Sequence, residues 1–367
     1  MEFYFVEFFI FGLYLFFILK LEYKYANYTF IKPHELHQTD KLYLNIVFVV
    51  LAILVMFREN SIGNDSITYF KAYQRYTDVD SDERFELGFS YLIMLSKKLS
   101  DYPYMLFITT GAISLFLFYH FIKEYSQWYF MSVIIFVFLS FFEMNMNIMR
   151  QMVAIGLTCY SYKYLISRNI IKFSLTVFIA SLFHSSAIIF CFAWFIYRLK
   201  ITYKNIALSI FALAVAYFLF DVLLSNLFLG LEKYEGYKDT IWGEGGKIGA
   251  LFSASIYLIL LGFTLSLRRK WKIEKRTDQL DGLFFLCLTG AGLLIISYNM
   301  SVVGRMASYF NAFQLILIPN ILKILSRRER IFYSIIIVLV LNIFKWTILI
   351  LRPEWNVVYP YKMHLPF

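Results

Sequence analysis

Long apolar runs separated by short polar stretches dominate the chain. A membrane-crossing helix needs roughly 17–25 apolar residues, and runs near that length fall at about 3–19, 42–57, 103–122, 129–143, 148–166, 205–229, 250–267, 279–297, 305–325 and 331–351. The pattern predicts an all-α, polytopic membrane bundle with about ten full crossings. Residues 173–197 are different: the run is apolar, but basic residues flank it on both sides and His184 sits at its midpoint. Each half holds about 12 residues, or roughly 18 Å of helix, too short for a hydrocarbon core of about 30 Å. A re-entrant helical pair with His184-Ser185-Ser186 at its tip is expected. Backbone of that kind at membrane depth must be buried in protein or line a wet cavity.

Two long connections, 58–102 and 230–249, carry more acids than bases. In the first, Asp65 is placed to cap a helix with Tyr69, Tyr73 and Tyr76 on one face, read as an interface belt. Residues 86–99 form an apolar stretch interrupted by Lys97 and Lys98, which suits a helix lying on the membrane surface. With no solenoid repeat and no low-complexity linker, residues 1–367 read as a single transmembrane domain, with the two long loops contributing to its site.

Composition agrees with this reading. The chain is 60% hydrophobic, 21% aromatic and only 16% charged, well below the quarter charged residues of soluble domains. The net charge of +10 fits two very different partners, nucleic acid and a membrane, so the placement of the bases decides between them. They cluster at 20–41, around Arg168 and Lys172, at 198–204, at 268–276 and at 327–330. Those loops are assigned to the cytoplasm, both termini to the outer side, and nucleic acid is not an expected partner. The first run follows Glu2 and lacks a small-residue cleavage site, so a retained helix is expected there and not a signal peptide. Cys159, Cys191 and Cys287 lie within apolar runs, where no disulfide or metal site is implied.

Three arginines escape the inward bias. Arg58 closes the second run, Arg150 opens the fifth and Arg305 opens the ninth, all at the outer ends. With His184 they suggest an anion site, since the planar guanidinium fork matches phosphate and stays charged; the competing reading is interfacial snorkelling. Asp78-Val79-Asp80 contains a D-x-D, here read as part of a solvated acidic loop. His34-Glu35-Leu36-His37 lacks the spacing of a helical zinc site. Gly243-Glu244-Gly245-Gly246 reads as a flexible turn.

Arg58 with Ile62-Gly63-x-Asp65 and Tyr69, Asn147-x-x-Arg150-Gln151, Phe183-His184-Ser185, Gly304-Arg305 with Tyr309, and the tail Tyr359-Pro360-Tyr361 together resemble the EpsG branch of Wzy-type polysaccharide polymerases. The resemblance covers nearly the whole chain; Met152 and Val153 depart from the family's usual Leu and Ala. It implies a glycosyltransferase of the bacterial cytoplasmic membrane. At the outer face such an enzyme passes a glycan from undecaprenyl pyrophosphate to the non-reducing end of another lipid-linked repeat unit, for O-antigen, capsule or exopolysaccharide. It further implies pyrophosphate binding by Arg58, Arg150 and Arg305, with Gln151 orienting substrate and His184 as phosphate contact or acid. A carboxylate serves as base: Asp65 first, then Glu143 and Glu86. No cofactor or metal is called for, and a chain-length-regulating copolymerase is an expected partner. Competing functions are an O-antigen ligase-like transferase, separated only by its acceptor, and a polysaccharide transporter or flippase.

Overall fold

Glycine and proline are sparse inside the apolar runs, and the chain answers with helix nearly everywhere. The computed structural model describes residues 6, 9–14, 33–77, 85–219, 247–273, 277–351 and 357–364. In chain order the helices are α1 (Pro33–Met56), α2 (Ser66–Arg75), α3 (Leu87–Leu99), α4 (Met105–Tyr125), α5 (Tyr129–Phe138), α6 (Phe141–Asn147), α7 (Met149–Ile166) and α8 (Ile170–Ser181). A 3₁₀ helix (Ser185–Phe192) and α9 (Ala193–Ile196) follow, then α10 (Tyr203–Phe218), α11 (Lys247–Ser266), α12 (Arg268–Ile273), α13 (Thr277–Ile296), α14 (Ser301–Asn311), α15 (Gln314–Ile324) and α16 (Arg327–Leu351).

Five helical stretches are long and apolar enough to cross a bilayer: Thr39–Met56, Met105–Tyr125, Ile248–Ser266, Asp278–Ile296 and Arg327–Leu351. A sixth is available if α5 and α6, bent by 48° at their junction, count as one span. Ten expected crossings therefore become five or six among the described residues, and the physical reasons are local. The run at 148–166 is indeed one helix, α7, but it carries Arg150, Gln151 and Lys163 and buries most of its length against neighbours, so its surface does not have to suit lipid. The run at 305–325 is broken at 312–313 into α14 and α15, of 11 residues each. Most of 3–19 and the end of 205–229 lie outside the described residues. The expected short pair is present: two apolar stretches of twelve residues, Ile170–Ser181 and Ser185–Ile196, packed against each other with His184 between them.

Packing forms two groups around one hydrophobic core. α4 packs against α1 and α7, and α7 against α8; on the other side α13 packs against α11 and α14. α5, its residues buried along the whole length, meets α15 and α16 and joins the two groups. Ser132 anchors that seam by donating to the Leu315 carbonyl at 2.7 Å. Cys159 and Cys287 are buried and Cys191 half-buried, all with free thiols.

The loop between α1 and α4 has a core of its own. Tyr69, Tyr73 and Tyr76 do fall on one face, but this face turns inward, against Phe85, Phe89, Leu92, Ile93, Tyr104, Phe107 and Met149. The tyrosines are therefore packing residues and not an interface belt, with edge-on contacts such as Tyr69 to Phe89 at 5.6 Å that favour a fixed geometry. α3 buries Phe89, Leu92, Ile93 and Ser96 there and leaves Leu87, Tyr91, Leu95 and Leu99 exposed at four-residue spacing.

Candidate active site

The chain leaving α1 is clasped by its own C-terminal segment. The Phe57 carbonyl accepts from the His364 N–H at 2.7 Å, Glu59 N–H donates to the Lys362 carbonyl at 2.9 Å, and Gly63 N–H donates to the Val357 carbonyl at 2.7 Å. His364 stacks on Tyr104 at 3.9 Å. Gly63 has φ +94°, and a Cβ there would stand 2.2 Å from the Met146 carbonyl oxygen. Only glycine allows so close an approach in that left-handed conformation. From this turn the next residues reach the end of α6: Asn64 N–H donates to Asn147 Oδ1 at 2.9 Å, and Ser66 Oγ donates to the Met146 carbonyl at 3.2 Å.

Arg58, expected to meet phosphate directly, lies beneath this layer and is wholly buried. Its guanidinium sits 4.2 Å over the Phe107 ring, donates to the Val55 carbonyl at 2.5 Å and approaches Met149 Sδ at 2.8 Å and Ser66 Oγ at 3.5 Å. Burial pushes its pKa down to about 9, with the Tyr361 phenol pulling the other way. It ties Ser66 in the loop to Met149 at the start of α7.

Above Arg58 the charges converge. Arg150, in the first turn of α7, pairs with Glu86 (Nη1 to Oε2, 2.5 Å) and donates from Nε to Tyr69 Oη at 3.0 Å. Phe85 and Phe89 stand 5.2 and 5.8 Å from the guanidinium carbon, fixing the plane of the fork by cation–π contact. The pair stays reachable, with 21% of the Arg150 and 13% of the Glu86 side chain exposed. The other Glu86 oxygen accepts from Ser185 N–H at 3.2 Å and Ser185 Oγ at 3.3 Å. Burial raises the Glu86 pKa, but Arg150, His184 and the Ser185 N–H outweigh it and hold the carboxyl below its usual range.

His184 caps the 3₁₀ helix, and its Nδ1 meets Ser186 Oγ at 2.7 Å and Tyr309 Oη at 3.5 Å, so α14 also reaches the cluster. Arg305 is half-buried on α14, where the Gln151 amide donates to its carbonyl at 2.7 Å. Gln151, expected to orient substrate, thus positions the Arg305 backbone. Asp65 occupies the cap position of α2 without a side-chain capping bond. Burial raises its pKa against the opposing pull of Arg305 and Arg150. Asp65, Glu86, Arg150, His184 and Arg305 therefore influence one another in one region.

Glu143 goes elsewhere. It is fully buried on α6, paired with Lys345 of α16 at 2.8 Å and accepting from Tyr359 Oη at 3.3 Å. Its carboxylate is taken up by a structural pair, away from the Arg150–Glu86 contact. Among the described residues no three His, Cys, Asp or Glu side chains group as metal ligands would; the D-x-D residues and the turn at 243–246 lie outside those residues. Sequence reasoning placed Ser185 and Ser186 at the hairpin tip without giving them a role, and it missed Gly88. Gly88 N–H donates to the Leu182 carbonyl at 2.8 Å and a Cβ there would meet that oxygen at 2.8 Å. This contact locks the start of α3 to the hairpin tip; the signal for it was a lone glycine two residues after Glu86.

The whole is a helical, multi-pass membrane protein whose loops and broken helices gather two arginines, a histidine and two carboxylates at one end. The sequence pattern of the EpsG family matches residues 41–363, so the chain belongs to the EpsG family of Wzy-like polysaccharide polymerases. No curated protein and no solved structure matches the chain.

Proposed function

We propose that this chain polymerises a lipid-linked repeat unit at the outer face of the bacterial cytoplasmic membrane, with both termini on that side. The glycan moves from undecaprenyl pyrophosphate to the non-reducing hydroxyl of an acceptor unit on the same kind of carrier. The observation that carries the reading is the gathering of Arg150, Arg305 and His184 with Asp65 and Glu86 in a cluster that remains partly open. As the acceptor oxygen bonds to the anomeric carbon, the carbon–oxygen bond to pyrophosphate breaks and its electron pair leaves with the diphosphate. Guanidinium groups fixed before the reaction neutralise that charge without reorganising, and Arg150 and Arg305 take this role, with His184 as a further contact. Asp65 takes the hydroxyl proton: its carboxylate is not spent on capping α2, and a raised pKa suits a base. Bilayer lipid surrounds the spans, and a length-regulating copolymerase is the protein partner.

The test is elongation of a defined undecaprenyl-pyrophosphate repeat unit by purified protein, with and without chelator. Wild type gives a ladder in both conditions, and its rate falls on acidification above the ordinary carboxylate range, because the base must be unprotonated and its pKa is raised. Asp65→Asn should lose nearly all turnover while still binding donor. A normal ladder from Asp65→Asn removes it as base; a ladder abolished by chelator reinstates a metal.

A further inference from the structure

We propose that Glu86 is a resident stand-in for a substrate phosphate: its carboxylate fills an anion cradle made by Arg150 and Ser185, and the diphosphate displaces it on binding. The inference rests on reading this region as a diphosphate site and adds which donors form it and what occupies it beforehand. Both Glu86 oxygens are engaged by groups that serve a phosphate equally well. Oε2 takes Arg150 Nη1 at 2.5 Å, and Oε1 takes the Ser185 backbone N–H at 3.2 Å and hydroxyl at 3.3 Å. All three donors come from elements other than α3, whose own start Glu86 caps by position only, with no side-chain capping bond.

That omission gives the carboxylate a second resting place. An acidic side chain at a helix N-terminus is favoured by the positive end of the helix dipole, so Glu86 released from Arg150 can turn back onto the first turn of α3. The backbone does not need to follow, because Gly88 N–H on the Leu182 carbonyl holds α3 to the hairpin tip. A diphosphate arriving at Arg150 repels the carboxylate it replaces, and Tyr69 with the Phe85 and Phe89 rings keeps the guanidinium plane in place during the exchange. In the resting protein the carboxylate keeps the half-buried Arg150 paired, which avoids the cost of an isolated charge.

The test measures binding of inorganic pyrophosphate to the purified full-length protein by calorimetry and by inhibition of elongation. Removing the competing charge in Glu86→Gln should tighten binding about tenfold, whereas Glu86→Asp, which keeps the charge, should not tighten it. Ser185→Ala should weaken binding about threefold in either background. Glu86→Gln binding that is unchanged or weaker, or Ser185→Ala binding equal to wild type, overturns the proposal. If wild type elongates and these shifts are absent, the stand-in role alone falls. If the shifts appear but no lipid-linked unit is elongated, the polymerase reading falls and the anion cradle stands.

Discussion

Glu86 and Glu143 each meet a cation within hydrogen-bonding distance, yet their surroundings give the two pairs opposite uses. Glu143 and Lys345 are entirely enclosed, at 0% exposure on both sides. Lys345 Nζ also donates to Ser140 Oγ at 2.8 Å, and Ser140 holds φ +66° at the bend between α5 and α6. Tyr359 from the C-terminal clasp completes the group. This pair pins a kinked helix, the last helix and the tail together in a region closed to the surface. Glu86 and Arg150 keep part of their surface open, and each Glu86 oxygen meets a donor from another element. A closed pair can only hold; an open one can be exchanged.

The largest expected effect comes from breaking the closed pair. Glu143→Ala or Lys345→Ala strands a charge in a low-dielectric interior, which costs about 3–5 kcal/mol, while replacing both with apolar residues of similar size should recover most of it. Thermal unfolding in detergent measures this. Single variants as stable as wild type would mean the enclosed pair contributes nothing to the fold.

Next in size is the open pair. Arg150→Ala should cut polymerisation by about 10² to 10³-fold, roughly 2.7–4 kcal/mol in the barrier, at matched membrane abundance and with single repeat units still made. Arg150→Lys should recover little, since a point charge lacks the fork that meets Glu86 and Tyr69 together. Polymer of normal length from Arg150→Ala, read on a gel, contradicts the exchange role and leaves the pair as structure only.

How far the sequence foretells this contrast depends on distance along the chain. Apolar runs revealed the long spans, and arginines left on the wrong side of a charge rule marked Arg150 and Arg305, because each signal is local. Arg58 carried the same signal but ended in the core; only the fold reveals that Phe107 and Met149 close over it. Glu143 looked like any other candidate base, since its partner sits on α16, far along the chain. The tyrosines of α2 read as a belt because a sequence shows that they share a face, not whether that face turns toward lipid or toward Phe89. Among the described residues fewer runs than expected stand as full crossings, for a related reason. Apolarity marks burial, and α7 is buried in protein over most of its length, while α14 and α15 break where Asn311 and Gln314 are enclosed.

The smallest effect sharpens the comparison from the far end of the bundle. There Lys200 and Asp278 stand 3.4 Å apart with side chains 68% and 72% exposed. Water screens such a pair and its flexible side chains lose entropy in making it, so Lys200→Ala should change stability by no more than about 0.5 kcal/mol. The neighbouring Asp281 differs: it is buried, accepts from the Ile201 N–H at 2.9 Å and faces Arg268 at 3.9 Å, so its loss should exceed that of Lys200 although both contacts join the same loop to α13. Unfolding midpoints for Lys200→Ala and Asp281→Ala separate the two. Equal losses would show that exposure does not rank the ion pairs of this protein, and the distinction between its closed and open pairs would then need another basis.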